Sequence, residues 1–159
     1  MTARPTAIRQ SELEEILHAL ARDLGYAQAP VAGRRRVHSL PVEPGAYVLL
    51  FWLARPAPLP PRFGTDKLAP GFYAYCGSAR GPGGLQVRIA RHLAREKSRR
   101  WHIDWLTTRA GPIAALAVID GNECALRERL SALPDVGIPV PGFGSTDCTK
   151  CPSHLVRVG

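Results

Sequence analysis

The chain has 159 residues, 45% of them hydrophobic, which suits one domain around one core and excludes a disordered polymer. Its longest apolar run, "AYVLLFWLA", is about half the roughly 20 residues a bilayer-spanning helix needs, so no membrane partner is expected. A net charge of +8 and a pI near 9.9 favour a polyanionic partner, nucleic acid ahead of a membrane surface, over a merely basic solvated exterior.

In chain order, "SELEEILHALARDLGY" predicts a helix. Ser11 serves as N-cap with Glu14 in the capping-box position, Leu13, Ile16, Leu17 and Leu20 form the apolar stripe, and Gly25 is the stop. "AGRRRVHSLPVEPG" reads as a basic, turn-rich connector. "AYVLLFWLA" is a strand continuous enough in apolar residues to be buried, and "RPAPLPPRFGTDKLAPG" is a loop too broken by proline for regular structure. "FYAYCGS" is a second strand, with Tyr73 alternating onto the same face as Tyr75.

The glycine-rich "GSARGPGGLQ" lacks the Lys-Ser/Thr of a phosphate loop and the third glycine of a dinucleotide fingerprint, so a nucleotide cradle is excluded. Either it is a turn joining strand to helix, or its backbone N–H groups hold a single phosphate. A helix is predicted from Leu85 to Lys97. At 3.6 residues per turn it aligns Arg88, His92, Arg95 and Arg99 beside the apolar stripe Leu85, Ile89 and Leu93. Arg80, Arg88, Arg91, Arg95, Lys97, Arg99, Arg100 and Arg109 crowd this segment, opposed there only by Glu96 and Asp104.

"WHIDWLTT" reads as a short helix with Trp101 and Trp105 in the core, "PIAALAVID" as a third strand and "NECALRERLSAL" as a helix. The Gly/Pro-rich tail "PVPGFGSTDCTKCPSHLVRV" ends in a short strand. The expected fold is α+β: a small antiparallel three-stranded sheet flanked by helices, with an extra N-terminal helix and an irregular C-terminal tail. Residues 1–43 form the helix and basic linker, and 44–159 the main domain.

No basic start followed by an apolar stretch suggests export, so the cytoplasm is the expected compartment and the four cysteines are expected as thiols or metal ligands. "CTKCPSH" spaces Cys148, Cys151 and His154 three apart, half of a zinc site that Cys124 or His102 would complete. The competing reading is a set of buried thiols beside an edge strand.

Taken together, "GAY" at Gly45–Tyr47, "YCG" at Tyr75–Gly77, Arg88 with His92 one turn on, and Glu123 in "GNECAL" resemble the GIY-YIG nuclease superfamily. The longer pattern through "GFGSTDC…C…SHL" is similar to its Uri-type endonuclease-like subfamily, over roughly Pro44 to Val158. Departures are Ala46 and Cys76 at usually Ile or Val strand positions, a longer loop before Arg88, and Ser78 where a lysine often stands.

The resemblance implies an endonuclease that hydrolyses phosphodiester bonds in DNA or RNA, in repair or processing, with one Mg²⁺ or Mn²⁺ on Glu123. Tyr47 would be general base or proton relay, Tyr75 its orienting partner, and Arg88 the phosphate grip. His92 would share the base role or bond a phosphate oxygen. Arg80, Arg91, Arg95, Arg99 and Arg100 would touch flanking phosphates without reading sequence. The residues by themselves also permit plainer roles: Glu123 as a first-turn acid paired to Arg127, the tyrosines as sheet residues, and His92 as an exposed helical histidine. A nucleic-acid-binding module of weak activity and a zinc-stabilised adaptor are the competing functions.

Overall fold

The structure is a computed structural model and describes residues 7–145 and 148–159. In chain order the elements are α1 (Gln10–Asp23), β1 (Val31–Gly33), a 3₁₀ segment (Arg34–Ser39), β2 (Gly45–Leu53), β3 (Ala57–Pro58), a 3₁₀ turn (Pro61–Phe63) and β4 (Lys67–Leu68). They continue with β5 (Gly71–Ala79), α2 (Gly84–Leu93), α3 (Asp104–Thr107), β6 (Ile113–Ile119), α4 (Glu123–Ser131), β7 (Val136–Gly137) and β8 (Leu155–Val158). Among the described residues no helix is long and apolar enough to cross a membrane.

The apolar run of β2 is buried at every position because it has a strand on each edge and helices over both faces. Its odd residues, Tyr47, Leu49, Phe51 and Leu53, pack with Leu85, Ile89 and Leu93 of α2 and with Ile103 and Leu106. Its even residues, Ala46, Val48, Leu50 and Trp52, pack with Leu13, Leu17 and Leu20 of α1 and with Leu126 and Leu130 of α4. The two-residue strand period thus divides the core into two layers.

β5 and β6 both run antiparallel to β2, on opposite sides of it, and are therefore parallel to each other. The chain must cross from one side of β2 to the other, and α2 and α3 make that crossing over one face. The class is α+β, as expected, but the sheet has six strands rather than three, in the order β1-β6-β2-β5-β8-β7. The expected three form its centre. β8 is the short strand expected at the end of the tail, here joined to the sheet, while β1 and β7, three and two residues long, are too short to show a periodicity. β1 pairs with β6, so the N-terminal segment shares the sheet and its core.

Several boundaries differ from expectation. α1 starts two residues earlier than the Ser11 cap implies: Arg9 is the N-cap, and Glu12 closes the capping box. Ile16 is exposed while Ala21 completes the buried stripe. α2 stops at Leu93, because Ala94 turns extended and the Lys97 ammonium donates to the carbonyls of Arg91 and His92.

At the other end of α2, the glycine-rich turn is a joint and not a phosphate nest. The N–H groups of Leu85 and Gln86 donate to the carbonyls of Glu43 and Pro41. Gly84, at φ +57°, leaves no room for a Cβ against the Val42 and Glu43 carbonyls. The donors a phosphate would need are already occupied.

Candidate active site

Tyr47 of β2 stands opposite Gly77 of β5, and Tyr75 opposite Leu49, so the two phenols are diagonal neighbours on the face covered by α2. The Tyr47 ring lies across Gly77, where an added Cβ would collide with the ring and hydroxyl. That is why glycine closes the second motif. β8 covers β5 only from Phe72 to Tyr75. Past that point the sheet edge gives way to a cavity of about 190 Å³ lined by Tyr47, Tyr75, Gly77, Ser78, Arg88, His92, Trp101, Glu123, Gly144, Cys148 and His154.

All five residues expected to carry chemistry therefore border one cavity. His92 is buried, not an exposed helical histidine, and its Nε2 lies 2.6 Å from the Tyr47 hydroxyl. The Tyr47, Tyr75 and Trp101 rings surround the imidazole, with centroids 5.2, 6.4 and 5.6 Å away. Burial, reinforced by the nearby Lys97 cation, pushes the His92 pKa down to about 3, so the ring is neutral at pH 7. Its Nδ1 is buried with no hydrogen-bond partner among the described residues.

Burial and the neighbouring Tyr75 hold the Tyr47 phenol well above its ordinary value, outweighing the Arg88 cation. Burial and the Glu123 carboxylate raise Tyr75 as well. The Arg88 cation acts to lower both phenols, but by too little to leave either tyrosine ionised.

The Arg88 guanidinium lies 4.6 Å from the centre of the Trp101 ring and has no hydrogen-bond partner among the described residues. Arg91 lies over the same ring at 4.2 Å but is committed elsewhere: both its terminal nitrogens bond the Asp104 carboxylate, at 3.0 and 2.9 Å. Asp104 is fully buried and also accepts from the backbone N–H of Arg100 and Trp101, with Lys97 3.9 Å away. Burial acts to raise its pKa, but the Arg91 bond and the two N–H groups outweigh that and lower it. Asp104 is thus the pin that folds the loop after α2 back over the cavity and sets Trp101 beneath Arg88.

Glu123 begins α4 behind the Asn122 N-cap, whose side chain accepts from the Ala125 N–H at 2.9 Å. The Glu123–Arg127 pair of the plainer reading does not form. Arg127 is buried with Nε unpartnered among the described residues, while the Glu123 carboxylate, 30% exposed, faces His154 Nδ1 at 3.9 Å.

Next to Glu123, Cys124 meets Cys148, Cys151 and His154, with all four ligand atoms within 4.8 Å of one another, a set able to hold a metal ion. Of the two residues weighed as fourth member, the fold selects Cys124. His102 instead accepts the Gly144 N–H at 3.0 Å and packs on Phe63 and Phe143. The N–H groups of Lys150 and Cys151 lower the Cys148 pKa to about 6, while burial raises Cys151 to about 12.

The outer arginines divide. Arg80 is exposed and donates to the Gly121 carbonyl at 3.2 Å. Arg95, Arg99 and Arg100 are exposed, Arg99 over the Trp105 ring at 5.4 Å. The continuous Arg88–His92–Arg95–Arg99 stripe does not exist, since the helix ends before Arg95. Tyr73 is separate from the cavity: its hydroxyl donates to the Ala69 carbonyl at 2.6 Å, and it borders a different hollow of about 770 Å³ beside β3 and β4.

Sequence reasoning missed Asp104 and misplaced Trp101, expected in the core but partly exposed as a cation platform. An acid and an aromatic inside a dense run of arginines were the available signal.

The family model described as "Domain of unknown function DUF123" matches residues 46–159, a span that takes in the whole cavity and omits α1 and β1. No curated protein and no solved structure matches the chain. With nearly three quarters of its length under that model, the chain belongs to the DUF123 family.

Proposed function

We propose that the chain is a metal-dependent endonuclease of the GIY-YIG type, hydrolysing phosphodiester bonds in DNA or RNA. The observation that carries this reading is convergence. Tyr47, Tyr75, Arg88, His92 and Glu123 come from two strands and two helices, yet border one small polar cavity.

In this reading Tyr47 is a relay and not a standing base. The relay uses the tautomer in which the Tyr47 hydroxyl, 2.6 Å from His92 Nε2, donates to that neutral nitrogen and the ring hydrogen sits on Nδ1. A water at the Tyr47 oxygen gives up a proton as the phenol proton moves to Nε2, so no phenolate has to exist beforehand. A bound phosphodiester brings negative charge beside His92 and raises its proton affinity at the moment it is needed. Tyr75, diagonal to Tyr47, orients that water. Arg88, held over the Trp101 ring with its donors unspent, grips the phosphoryl oxygens.

Glu123 offers a partly exposed, hard oxygen donor to the cavity, which fits a hydrated Mg²⁺ or Mn²⁺ that shares its shell with a phosphate. Such an ion would supply Lewis-acid neutralisation of the phosphoryl charge.

The exposed Arg95, Arg99 and Arg100, which do not border the cavity, favour a second reading as a module that binds nucleic acid with weak cutting. Plasmid and single-stranded DNA and RNA, incubated with the protein with and without Mg²⁺, separate the two. Cleavage that needs Mg²⁺ and falls about 100-fold or more in Arg88→Ala and in Glu123→Gln is expected. Binding without cleavage selects the module, and cleavage that persists in both variants refutes the site.

A further inference from the structure

The four-residue cluster beside Glu123 has the chemistry and shape of a closed metal site. Cys124 sits in the first turn of α4, and Cys148, Cys151 and His154 lie in the tail just before β8. The Cys124 and Cys148 sulfurs are already 3.5 Å apart. Sulfurs about 2.3 Å from a tetrahedral zinc stand roughly 3.8 Å apart, so the set lies within about an ångström of a complete shell.

A second observation is independent of that spacing. His154 is 3% exposed, and its Nε2 is buried with no hydrogen-bond partner among the described residues. A polar atom left so is costly unless something binds it. Between Val140 and Ser153 the described tail contains no helix and no strand to hold it in place.

We propose that Cys124, Cys148, Cys151 and His154 bind a structural Zn²⁺ that staples the first turn of α4 to the tail. Three thiolates and an imidazole exclude the hard cations Mg²⁺ and Ca²⁺, and an iron–sulfur cluster is ordinarily held by four cysteines. Binding requires the thiols to shed their protons to solvent. With the metal on Nε2, His154 presents Nδ1–H toward the Glu123 carboxylate 3.9 Å away, the carboxylate–histidine–zinc relation that orients such rings. The zinc thereby positions Glu123. That last step rests on the nuclease reading, whereas the zinc site itself does not.

The test is metal content of the full chain, purified without chelator under reducing conditions and measured by plasma mass spectrometry. About one zinc per chain is expected, with Cys151→Ser and His154→Asn falling well below half of that and Glu123→Gln retaining it. Cobalt substitution should give thiolate-to-cobalt charge-transfer absorption. Because these variants can unfold, alkylation of the unmutated protein serves as a second measure: Cys124, Cys148 and Cys151 should react only after the metal is stripped.

Zinc near zero even after reconstitution with excess Zn²⁺, iron in its place, or a Cys124–Cys148 disulfide in the reduced preparation each overturns the site. Cleavage lost in Glu123→Gln with zinc retained separates failure at the catalytic carboxylate from failure at the zinc site.

Discussion

Lowering the pH should expose His92 as a buried neutral base. The unfolded chain takes up a proton at this residue near pH 6.5, whereas the fold holds it neutral down to about pH 3. A histidine whose folded pKa is depressed contributes its full stability above the unfolded value and loses it as pH falls from about 6.5 toward 3, because the unfolded state then binds the extra proton. Between pH 7.5 and pH 5 the loss is RT ln of about 30, or about 2 kcal/mol, and any folded value below about 4 gives the same figure.

His92→Gln keeps a polar group beside Tyr47 but cannot titrate. Urea unfolding of both proteins at the two pH values isolates the residue, since titration at the cysteine cluster is common to both. With a slope of about 2 kcal/mol per molar, the unmutated midpoint should fall about 1 M further than that of the variant. Equal falls would mean that His92 is not held neutral, and the relay through its Nε2 would lose its basis.

Gly77→Ala drives a Cβ into the Tyr47 ring and should cost about 2 kcal/mol, roughly 4–8 °C in Tm, together with cleavage. Gly137→Ala, where the added carbon meets nothing within 4 Å, is the control, and equal Tm values would refute the packing. Asp104→Asn strips charge from a buried carboxylate that holds Arg91 and two backbone N–H groups. A loss of about 3 kcal/mol is expected in denaturant titrations, and one below about 1 would remove Asp104 as the pin of the loop. Replacing Arg95, Arg99 and Arg100 together by Ala should reduce the slope of log Kd against log salt by up to about 3 for duplex DNA, and an unchanged slope would clear them of phosphate contact.

Of the residues that border the cavity, Trp101 was not legible, but Tyr47, Tyr75, Arg88, His92 and Glu123 were, through their resemblance to a family pattern, because a tyrosine two residues from a glycine in each of two strands and an arginine one helical turn before a histidine are local spacings. The central strands were legible for the same reason: burial on both faces leaves a continuous apolar run. The edge strands were not, since Val31–Gly33 and Val136–Gly137 acquire their conformation from partners distant in the chain. The end of α2 was hidden likewise. Lys97 and Arg91 look like further members of a cationic row until Asp104 and the helix carbonyls claim them.

By itself, then, the amino-acid order determined the class of fold and the inward run of β2, since both follow from the period and volume of the side chains, while the candidate chemistry came as what a family resemblance implies. Only the tertiary structure decided that His92 is buried and neutral against Tyr47, that Arg91 serves Asp104 while Arg88 keeps its donors unspent, and that Cys124 rather than His102 joins the tail cluster. Desolvation and the pairing of charges depend on which surfaces meet across the sheet, and the contact between α4 and the tail, more than twenty residues apart, is written in no local pattern.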